Sequence, residues 1–422
     1  MKKIKYLFRA FKYRNYRLYF AGQGLSLIGS WMQQVAAGWY VYRITDSPWM
    51  LGVVAFSAQI PNLLITPFAG VLADRKNKLK IIIAVQYLGI IQAVLFTVLY
   101  YNGIKNIFPI ILLSLFLGII NAIDAPARQS FVFDIVDEID DLPNAIALNS
   151  TMFNGARLLG PAIAGFIISR FGEGVCFSVN AVSFIAVIGA LYAIRIPPFI
   201  KPTAVKNVFH ELKEGIKYTY NHELIRNILM MVAFISLLGM PYATLMPVFA
   251  KEVLKGSAQS FALLMTASGT GAVAGAIFLA SRKNDSRLLN LFGLAGSIFG
   301  TGLILVSFSK NLPLAFTIII MSGFGMMTQL GTGNTIIQTA IESRMRGRVM
   351  SLYNMAFMGV FPFGNLLMGF LAKSSVLGIT KTLILSGACS MMLSILFLIR
   401  LPKYRAKYHI LNTKPSIPEQ SK

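Results

Sequence analysis

The stretch Gly70–Lys78, GVLADRKNK, lies between two hydrophobic segments and decides the fold. A diverged copy, Ala280–Asn284 with the sequence ASRKN, repeats residues 73–77 after 207 residues in a chain of 422. A repeat at half the length of the chain indicates that a membrane bundle was duplicated. The stretch therefore predicts two similar halves, each with a basic turn on the same side of a bilayer.

The composition of the chain places it in a membrane. Hydrophobic residues make up 55% and charged residues 13%, and the mean hydropathy is +0.65. The net charge of +23 would suggest nucleic acid in a soluble protein, but here the basic residues cluster at the ends of apolar segments. That placement is typical of membrane topology signals, and we expect no nucleic-acid partner. The basic segment Met1–Arg17 leads into a full-length span, so we expect it to be retained rather than cleaved.

A helix needs roughly 20 apolar residues to cross the hydrocarbon core. Twelve segments meet this requirement, near residues 17–42, 48–72, 79–101, 107–127, 144–169, 174–196, 224–250, 259–281, 288–308, 312–340, 348–373 and 376–400. The sequence thus predicts an all-α integral membrane protein with twelve transmembrane helices in two pseudo-symmetric six-helix bundles. The connections alternate between basic and nearly uncharged, which predicts that both termini and the basic turns are cytoplasmic.

The expected domain boundaries follow from this count. Residues 1–196 form the first bundle, and residues 197–223 form a cytoplasmic linker with an interfacial helix. Residues 224–402 form the second bundle, and residues 403–422 form a cytoplasmic tail.

The turn at Gly70 resembles the signature loop of the major facilitator superfamily, with the pattern Gly-x-x-x-Asp-Arg continued by Lys78. The resemblance implies the fold of that superfamily. The residue types suggest a latch that holds the cytoplasmic side shut. Gly70 permits close helix contact, Asp74 faces the start of the eleventh span near residues 344–348, and Arg75 pairs with Asp124. The alternative is that the basic residues only fix the topology.

Arg157 is the most costly residue of the chain. It lies about ten residues into the fifth span, where an arginine costs about 2.5–3.5 kcal/mol on insertion scales. Ser150, Asn154 and Arg157 form a polar stripe at helical spacing, which predicts that Arg157 faces an internal cavity. There it attracts an anionic or oxygen-rich substrate or takes part in coupling; the alternative is a fixed hydrogen-bond partner for helix ends or backbone carbonyls.

Around Arg157, the segment Gly155–Gly165 is similar to the Gly-Pro motif in the fifth span of the antiporter branch of the superfamily. Pro161 frees a backbone carbonyl, and Gly155, Gly160 and Gly165 permit bending and tight packing. The resemblance implies a gating helix and favours export over import.

Amide side chains in other spans outline a central pathway. They are Gln33, Gln59, Asn62, Asn121 and Gln329. An uncharged lining suits a polar organic solute better than a bare ion. The alternative for each residue is a hydrogen bond between helices, which is common for such side chains in membranes.

None of the 16 acidic residues falls at mid-membrane, and Asp124 and Glu342 lie nearest. We expect a proton gradient as the energy source, with Asp124 as the titrating latch group or with another coupling ion. The sequence has no ATP-binding loop, metal-ligand cluster or catalytic triad, so we expect a carrier without cofactor or metal rather than an enzyme. The acidic patch at residues 134–141 is interpreted as a solvated loop.

Four segments together resemble the enterobactin-exporter-like branch of the superfamily. They are Ala125–Phe131, Asn144–Ser150, Ala156–Pro161 and Arg346–Ser351. The resemblance implies a bacterial inner-membrane exporter of a siderophore or of drug-like compounds such as macrolides. We expect a monomer in contact with membrane lipid. Two alternatives stay open, an importer or facilitator of a metabolite and a non-transporting membrane sensor or scaffold.

Overall fold

The computed structural model describes residues 8–196, 208–282 and 287–405, without the side chains of residues 71, 74, 208–212, 343 and 344. The helices of the first half are α1 Arg14–Thr45, α2 Pro48–Arg75, α3 Lys78–Tyr101, α4 Ile107–Phe131, α5 Leu142–Phe171 and α6 Glu173–Tyr192. Helix α7, Val208–Asn221, precedes the second half. That half contains α8 Glu223–Val253, α9 Ala258–Ala280, α10 Arg287–Ser307, α11 Leu312–Ala340, α12 in two segments Ser343–Asn354 and Phe361–Leu371, and α13 Gly378–Ile399.

These helices confirm the predicted fold of two six-helix halves. In the described part of the chain, eleven helices are long and apolar enough to cross a membrane. Helix α1 is the remaining member of the twelve; it has 32 residues and is more polar. Its Gln23 and Gln33 are buried inside the first half, so helix packing rather than lipid solvates its polar side.

The turn after α2 is built by its own side chains. Asn77 caps α3, accepting a hydrogen bond at Oδ1 from the backbone nitrogen of Lys80 at 3.1 Å. An asparagine that caps the next helix satisfies a backbone donor that the helix itself leaves free. The basic turn therefore ends one span and begins the next within two residues.

The two halves meet at one end of the bundle. We call the end that carries Arg14, Arg75 and Phe131 the basic side, and the end that carries Thr45 and Phe171 the far side. At the far side the backbones of α2 and α12 touch, since a Cβ atom on Gly52 would lie 2.5 Å from the carbonyl oxygen of Asn365. A Cβ atom on Gly165 of α5 would lie 2.6 Å from Cβ of Ala262 on α9.

Toward the basic side the halves separate. Gly70 lies near the basic end of α2, and a Cβ atom there would meet none of the described atoms within 4 Å. The opposing segment Ser343–Asn354 of α12 packs on α7 instead, where Arg348 forms an ion pair with Glu214. The structure is therefore closed at the far side and open to the basic side.

Two spans of the second half contain π-helical turns that the sequence did not predict. They lie at Ile235–Gly239 and Phe249–Val253 in α8 and at Met355–Gly359 in α12. The hydroxyl of Ser236 donates a hydrogen bond to the carbonyl of Phe357, which links one turn to another across the interface of α8 and α12. Such turns leave backbone carbonyls free and are frequent at functional sites.

The interpretation of residues 134–141 as a solvated loop is wrong for Asp141. Its side chain is 2% exposed, and it accepts a hydrogen bond from the hydroxyl of Tyr13 at 2.9 Å and pairs with Lys12 Nζ at 2.8 Å. This contact raises the pKa of Lys12 above its usual range. Asp141 thus attaches the segment before α1 to the start of α5, because that segment supplies the cations that the carboxylate needs.

We expect Asp141→Asn to lower the thermal unfolding midpoint of the purified protein, because the substitution removes the charge that holds Lys12 and Tyr13. The matched control is Asp140→Asn, since Asp140 is exposed. Equal midpoints for the two variants would show that the buried carboxylate does not hold the segment.

Candidate functional site

Arg157 lies at the middle of α5, on the face that the predicted polar stripe occupies. On one flank of that face, Gly160 packs against α1, where a Cβ atom would lie 2.4 Å from Cβ of Trp31. On the other flank, Leu158 contacts Gly269 of α9. Because α1 and α9 belong to different halves, the face between these two contacts opens on the space between the halves.

One aromatic ring adjoins the Arg157 guanidinium, and a second ring packs against the first. Its Cζ atom lies 6.0 Å from the centre of the Trp31 ring, and Trp31 meets Phe153 edge-on with ring centres 5.9 Å apart. Tyr242, on α8 of the second half, forms a hydrogen bond with Ser268 of α9 at 2.7 Å, and a Cβ atom on the next residue, Gly269, would lie 3.1 Å from the carbonyl oxygen of Arg157. Within the described residues no carboxylate forms an ion pair with Arg157.

Gln59 and Asn62 lie on the inward face of α2. Pro61 of α2 contacts α4 and Leu63 contacts α12, and the two amides lie between these contact faces. The opposite face carries the strongly exposed apolar side chains Leu64 and Phe68, which suit lipid. Nδ2 of Asn62 donates to Oε1 of Gln59 at 3.0 Å, so the amides form one polar patch.

Asn121 and Asn154 add further amides to the open side. Asn121 is exposed on α4, and Asn154 is half-buried on α5, where Nδ2 donates to the carbonyl of Ser150 at 2.8 Å. Together with Gln59, Asn62 and Arg157 they give the space between the halves a lining of amides and one guanidinium.

The prediction that Gln33 lines this space is wrong. Gln33 is 3% exposed and lies inside the first half, where its Oε1 accepts from Asn180 at 2.8 Å and its Nε2 donates to Gln92 at 2.9 Å. Helical spacing with other polar residues of α1 suggested a pathway, but Gln33 turns toward α3 and α6. Its amide joins three helices.

The prediction for Gln329 is wrong for a similar reason. Gln329 is fully buried among α10, α11 and α13, with its amide against Gly296 and its Nε2 donating to Ser394 at 3.5 Å. Gln329 therefore packs within the second half rather than facing the space between the halves.

We expect Gln33→Leu to destabilise the protein by about 1–2 kcal/mol, because it removes the hydrogen-bond partner of Nδ2 of Asn180 and of Oε1 of Gln92. The range of transported solutes stays unchanged. Gln34→Leu is the matched control, since Gln34 is the exposed neighbour on α1. Unfolding in detergent measures the difference in stability between the two variants. A stable Gln33→Leu protein with altered solute selectivity would indicate that Gln33 does line the solute pathway.

The structure does not bring Arg75 and Asp124 together. Asp124 pairs with Arg128, one turn further along α4, and accepts a hydrogen bond from Gln86 of α3 at 3.2 Å. Arg75 is exposed at the end of α2. The predicted pair of Arg75 with Asp124 is therefore absent in this conformation, because the buried Arg128 on the same helix already neutralises the carboxylate.

The other members of the predicted latch are only partly described. Lys78 binds Asp134 at 2.8 Å and the carbonyl of Ser130 at 3.3 Å, so it ties the basic turn to the end of α4. The backbone of Asp74 belongs to α2, but its side chain lies outside the described residues, as does that of Arg344. The latch as a whole stays a prediction.

The glycines of the predicted gating helix differ in their surroundings. Gly160 packs against α1 and Gly165 against α9, so both allow close contact, the second of them across the two halves. A Cβ atom on Gly155 would meet no described residue within 4 Å, so packing against these residues does not require glycine there. Pro161 lies inside α5 and is buried.

Polar contacts between the halves at the far side were missed from the sequence. Lys251 of α8 pairs with Asp46 after α1 at 2.8 Å, and Tyr42 of α1 donates to Glu252 at 2.5 Å. The sequence does contain a signal for these contacts, because Asp46, Lys251 and Glu252 are charged residues near connections that are otherwise nearly uncharged. These contacts add a polar rim to the closed side.

The amino-acid sequence matches one family of known proteins over nearly its whole length. The model of the family described as transmembrane secretion effector matches residues 7–421. The chain is 29% identical to a staphyloferrin A transporter of Staphylococcus aureus, over 90% of this chain and 95% of the relative. It is 23% identical to macrolide efflux protein A of Streptococcus pyogenes, over 89% and 94% of the two chains. It is also 23% identical to the multidrug efflux pump Tap of Mycobacterium tuberculosis, over 91% of each.

Solved structures show the same fold. A bacterial homologue of the human lysosomal transporter Spinster, in an inward-facing and unoccupied conformation, superimposes with a TM-score of 0.68 at 15% identity, over 94% of this chain and 96% of that one. The relatives are bacterial and the chain is a multi-pass membrane protein. It belongs to the transmembrane secretion effector family of the major facilitator superfamily.

Proposed function

We propose that this chain is a secondary transporter that exports a small organic solute across the bacterial plasma membrane by alternating access. The single observation that carries the proposal is a space between the two halves that is closed at the far side and lined by amides and Arg157. A lining of this kind fits a polar organic solute better than a bare ion. Full-length similarity to efflux proteins and to a siderophore transporter supports the direction and the substrate class.

The orientation follows from charge. The basic side carries Arg14, Arg75 and Arg128, and positive residues favour the cytoplasmic side of a membrane. The open space then faces the cytoplasm, where an exporter collects its solute. Both termini lie on that side, and the domain boundaries after residues 196, 223 and 402 belong to the same proposal.

Energy comes, in this proposal, from the proton gradient rather than from ATP, and the protein acts as a monomeric carrier rather than as an enzyme. One proton that moves down 100 mV supplies about 2.3 kcal/mol, which supports roughly 50-fold accumulation. Asp124 is the candidate for the coupling carboxylate. In the opposite state it exchanges Arg128 for Arg75 as the basic turn closes, and Gly70 then contacts α12.

Secreted metabolites test the proposal. A strain without the gene is grown in iron-poor and iron-rich medium, with the intact gene restored in a matched control. Retention of a siderophore inside the iron-starved cells supports siderophore export. If the deletion changes neither siderophores nor any other secreted organic solute, and cells remain equally sensitive to macrolides, export is contradicted. Solute counterflow in oriented vesicles separates export from import.

A further inference from the structure

We propose that Arg157 and Trp31 bind an anionic group of the transported solute, so that the substrate is an organic anion that carries a carboxylate next to an apolar or flat portion. This inference rests on the proposed function, because it names the chemical class of the solute that enters the space between the halves.

Arg157 has no carboxylate partner among the described residues. A charged side chain at the middle of a membrane span is costly unless it is paired or faces a polar space. Asp124, the carboxylate nearest the middle of the first half, is already neutralised by Arg128. The described carboxylates of the far side, Asp46, Glu173 and Glu252, are bound by Lys251, Arg43 and Tyr42. Arg157 therefore keeps a positive charge that a solute can pair with.

The shape of the site around Arg157 and Trp31 suits a carboxylate attached to an apolar group. A guanidinium presents a planar fork of donors that matches the two oxygens of a carboxylate. Trp31 holds one face of this fork at 6.0 Å from its ring centre, which leaves the edge of the fork for a ligand. Phe153, 48% exposed, extends the aromatic surface beyond Trp31. An apolar portion of the solute thus contacts Phe153 while its carboxylate reaches Arg157.

Arg157 also lies at the junction of the two halves. Arg157 lies where α5 meets α9, beside the closed contacts of the far side, and its backbone carbonyl would lie 3.1 Å from a Cβ atom on Gly269. Tyr242 of the second half forms a hydrogen bond with Ser268, the residue before Gly269, at 2.7 Å. A solute bound to Arg157 thus lies at the inner end of the open space, where both halves contribute to its surroundings.

Three variants test the proposal. Arg157→Gln removes the charge, and Arg157→Lys keeps the charge without the planar fork. Arg170→Gln is the matched control, because Arg170 is exposed at the far end of the same helix, with its Cζ atom 5.5 Å from the ring of Phe166. Each variant is expressed in the deletion strain, its amount in the membrane is measured, and secreted solutes are compared by mass and by charge at neutral pH.

The expected result is that solutes secreted only in the presence of the intact protein are anions. In inverted vesicles, Arg157→Gln raises the KM for such a solute about 10- to 100-fold while its maximal rate stays within about 2-fold, and Arg157→Lys lies between it and the intact protein. Arg170→Gln behaves as the intact protein does.

Two results would overturn the anion site. One is that the dependent solutes are neutral or cationic. The other is that Arg157→Gln lowers the maximal rate with unchanged KM, as a purely structural arginine would. If the intact protein exports no solute at all, the proposed function itself fails, and this outcome is distinct from either of the two.

Discussion

Replacing Gly52 with leucine is expected to open the far side of the bundle and to close the basic side. A Cβ atom at this position would lie 2.5 Å from the carbonyl oxygen of Asn365 and 3.2 Å from Cα of Gly369. Both neighbours are backbone atoms, so no side chain can rotate away. Overpacking costs about 1–3 kcal/mol, and about 1.4 kcal/mol shifts a two-state equilibrium tenfold. The variant therefore abandons this conformation for one in which α2 and α12 separate at the far side.

Gly70→Leu is the matched counterpart at the other end of α2. In the part of the chain that the structure describes, nothing would contact a Cβ atom there in this conformation, so we expect the substitution to leave the present state intact. In a state with the basic side closed, residue 70 faces α12, and a leucine opposes that closure. The two substitutions thus shift the equilibrium in opposite directions, although both add the same side chain to the same helix.

Distances between spin labels measure these shifts. The far-side pair is Ser169→Cys with Gln259→Cys, and the basic-side pair is Ile146→Cys with Ser281→Cys; all four positions are exposed. Gly52→Leu is expected to lengthen the far-side distance and to shorten the basic-side distance. Gly70→Leu keeps both distances at the parent values. If Gly52→Leu leaves the parent distances unchanged, the far-side glycine contact does not control the conformation.

Asp124→Asn is expected to cost about 3 kcal/mol of stability, the lower end of the range for a broken buried ion pair. The side chain of Arg128 is 8% exposed and that of Asp124 is 19% exposed, so the arginine is the more deeply buried partner. A guanidinium does not lose its proton in a protein. Without Asp124 the charge of Arg128 stays buried and uncompensated.

Arg128→Met is the informative comparison. Without the Arg128 guanidinium, Asp124 has no cationic partner among the residues that the structure describes. A carboxyl group can become neutral by binding a proton, and Gln86 still donates a hydrogen bond to Asp124. We therefore expect a smaller loss of stability than for Asp124→Asn, and we expect the double variant Asp124→Asn with Arg128→Met to regain part of the difference. Chemical unfolding in detergent measures all three. Equal losses for the two single variants would contradict a buried pair with unequal partners.

The sequence predicted the fold because its signals are local and strong. Apolar segments of membrane length, glycine spacing and the basic turn at Gly70–Lys78 each report on one helix or one connection. The polar stripe of α2 indicated neighbouring amides, and Gln59 and Asn62 form one patch there. These patterns depend only on helical periodicity.

The remaining features depend on rotations and partners that no periodicity specifies. Gln33 and Gln59 are both amides in apolar spans, yet one is buried among three helices and the other faces the open space. Asp124 pairs with Arg128, one turn away on the same helix, whereas Arg75 is exposed at the end of α2. The sequence is compatible with both the state open at the basic side and the state open at the far side, whereas the structure shows the first of them.

The most direct test of alternating access is the labelling of a single cysteine in the open space. Asn154→Cys is made in a chain whose two cysteines, Cys176 and Cys389, are replaced, and a membrane-impermeant maleimide is added to inverted vesicles or to intact spheroplasts. The account predicts labelling in inverted vesicles and protection in spheroplasts, with the reverse when Gly52→Leu is added. Labelling from outside in the parent chain, or an unchanged pattern with Gly52→Leu, would contradict it.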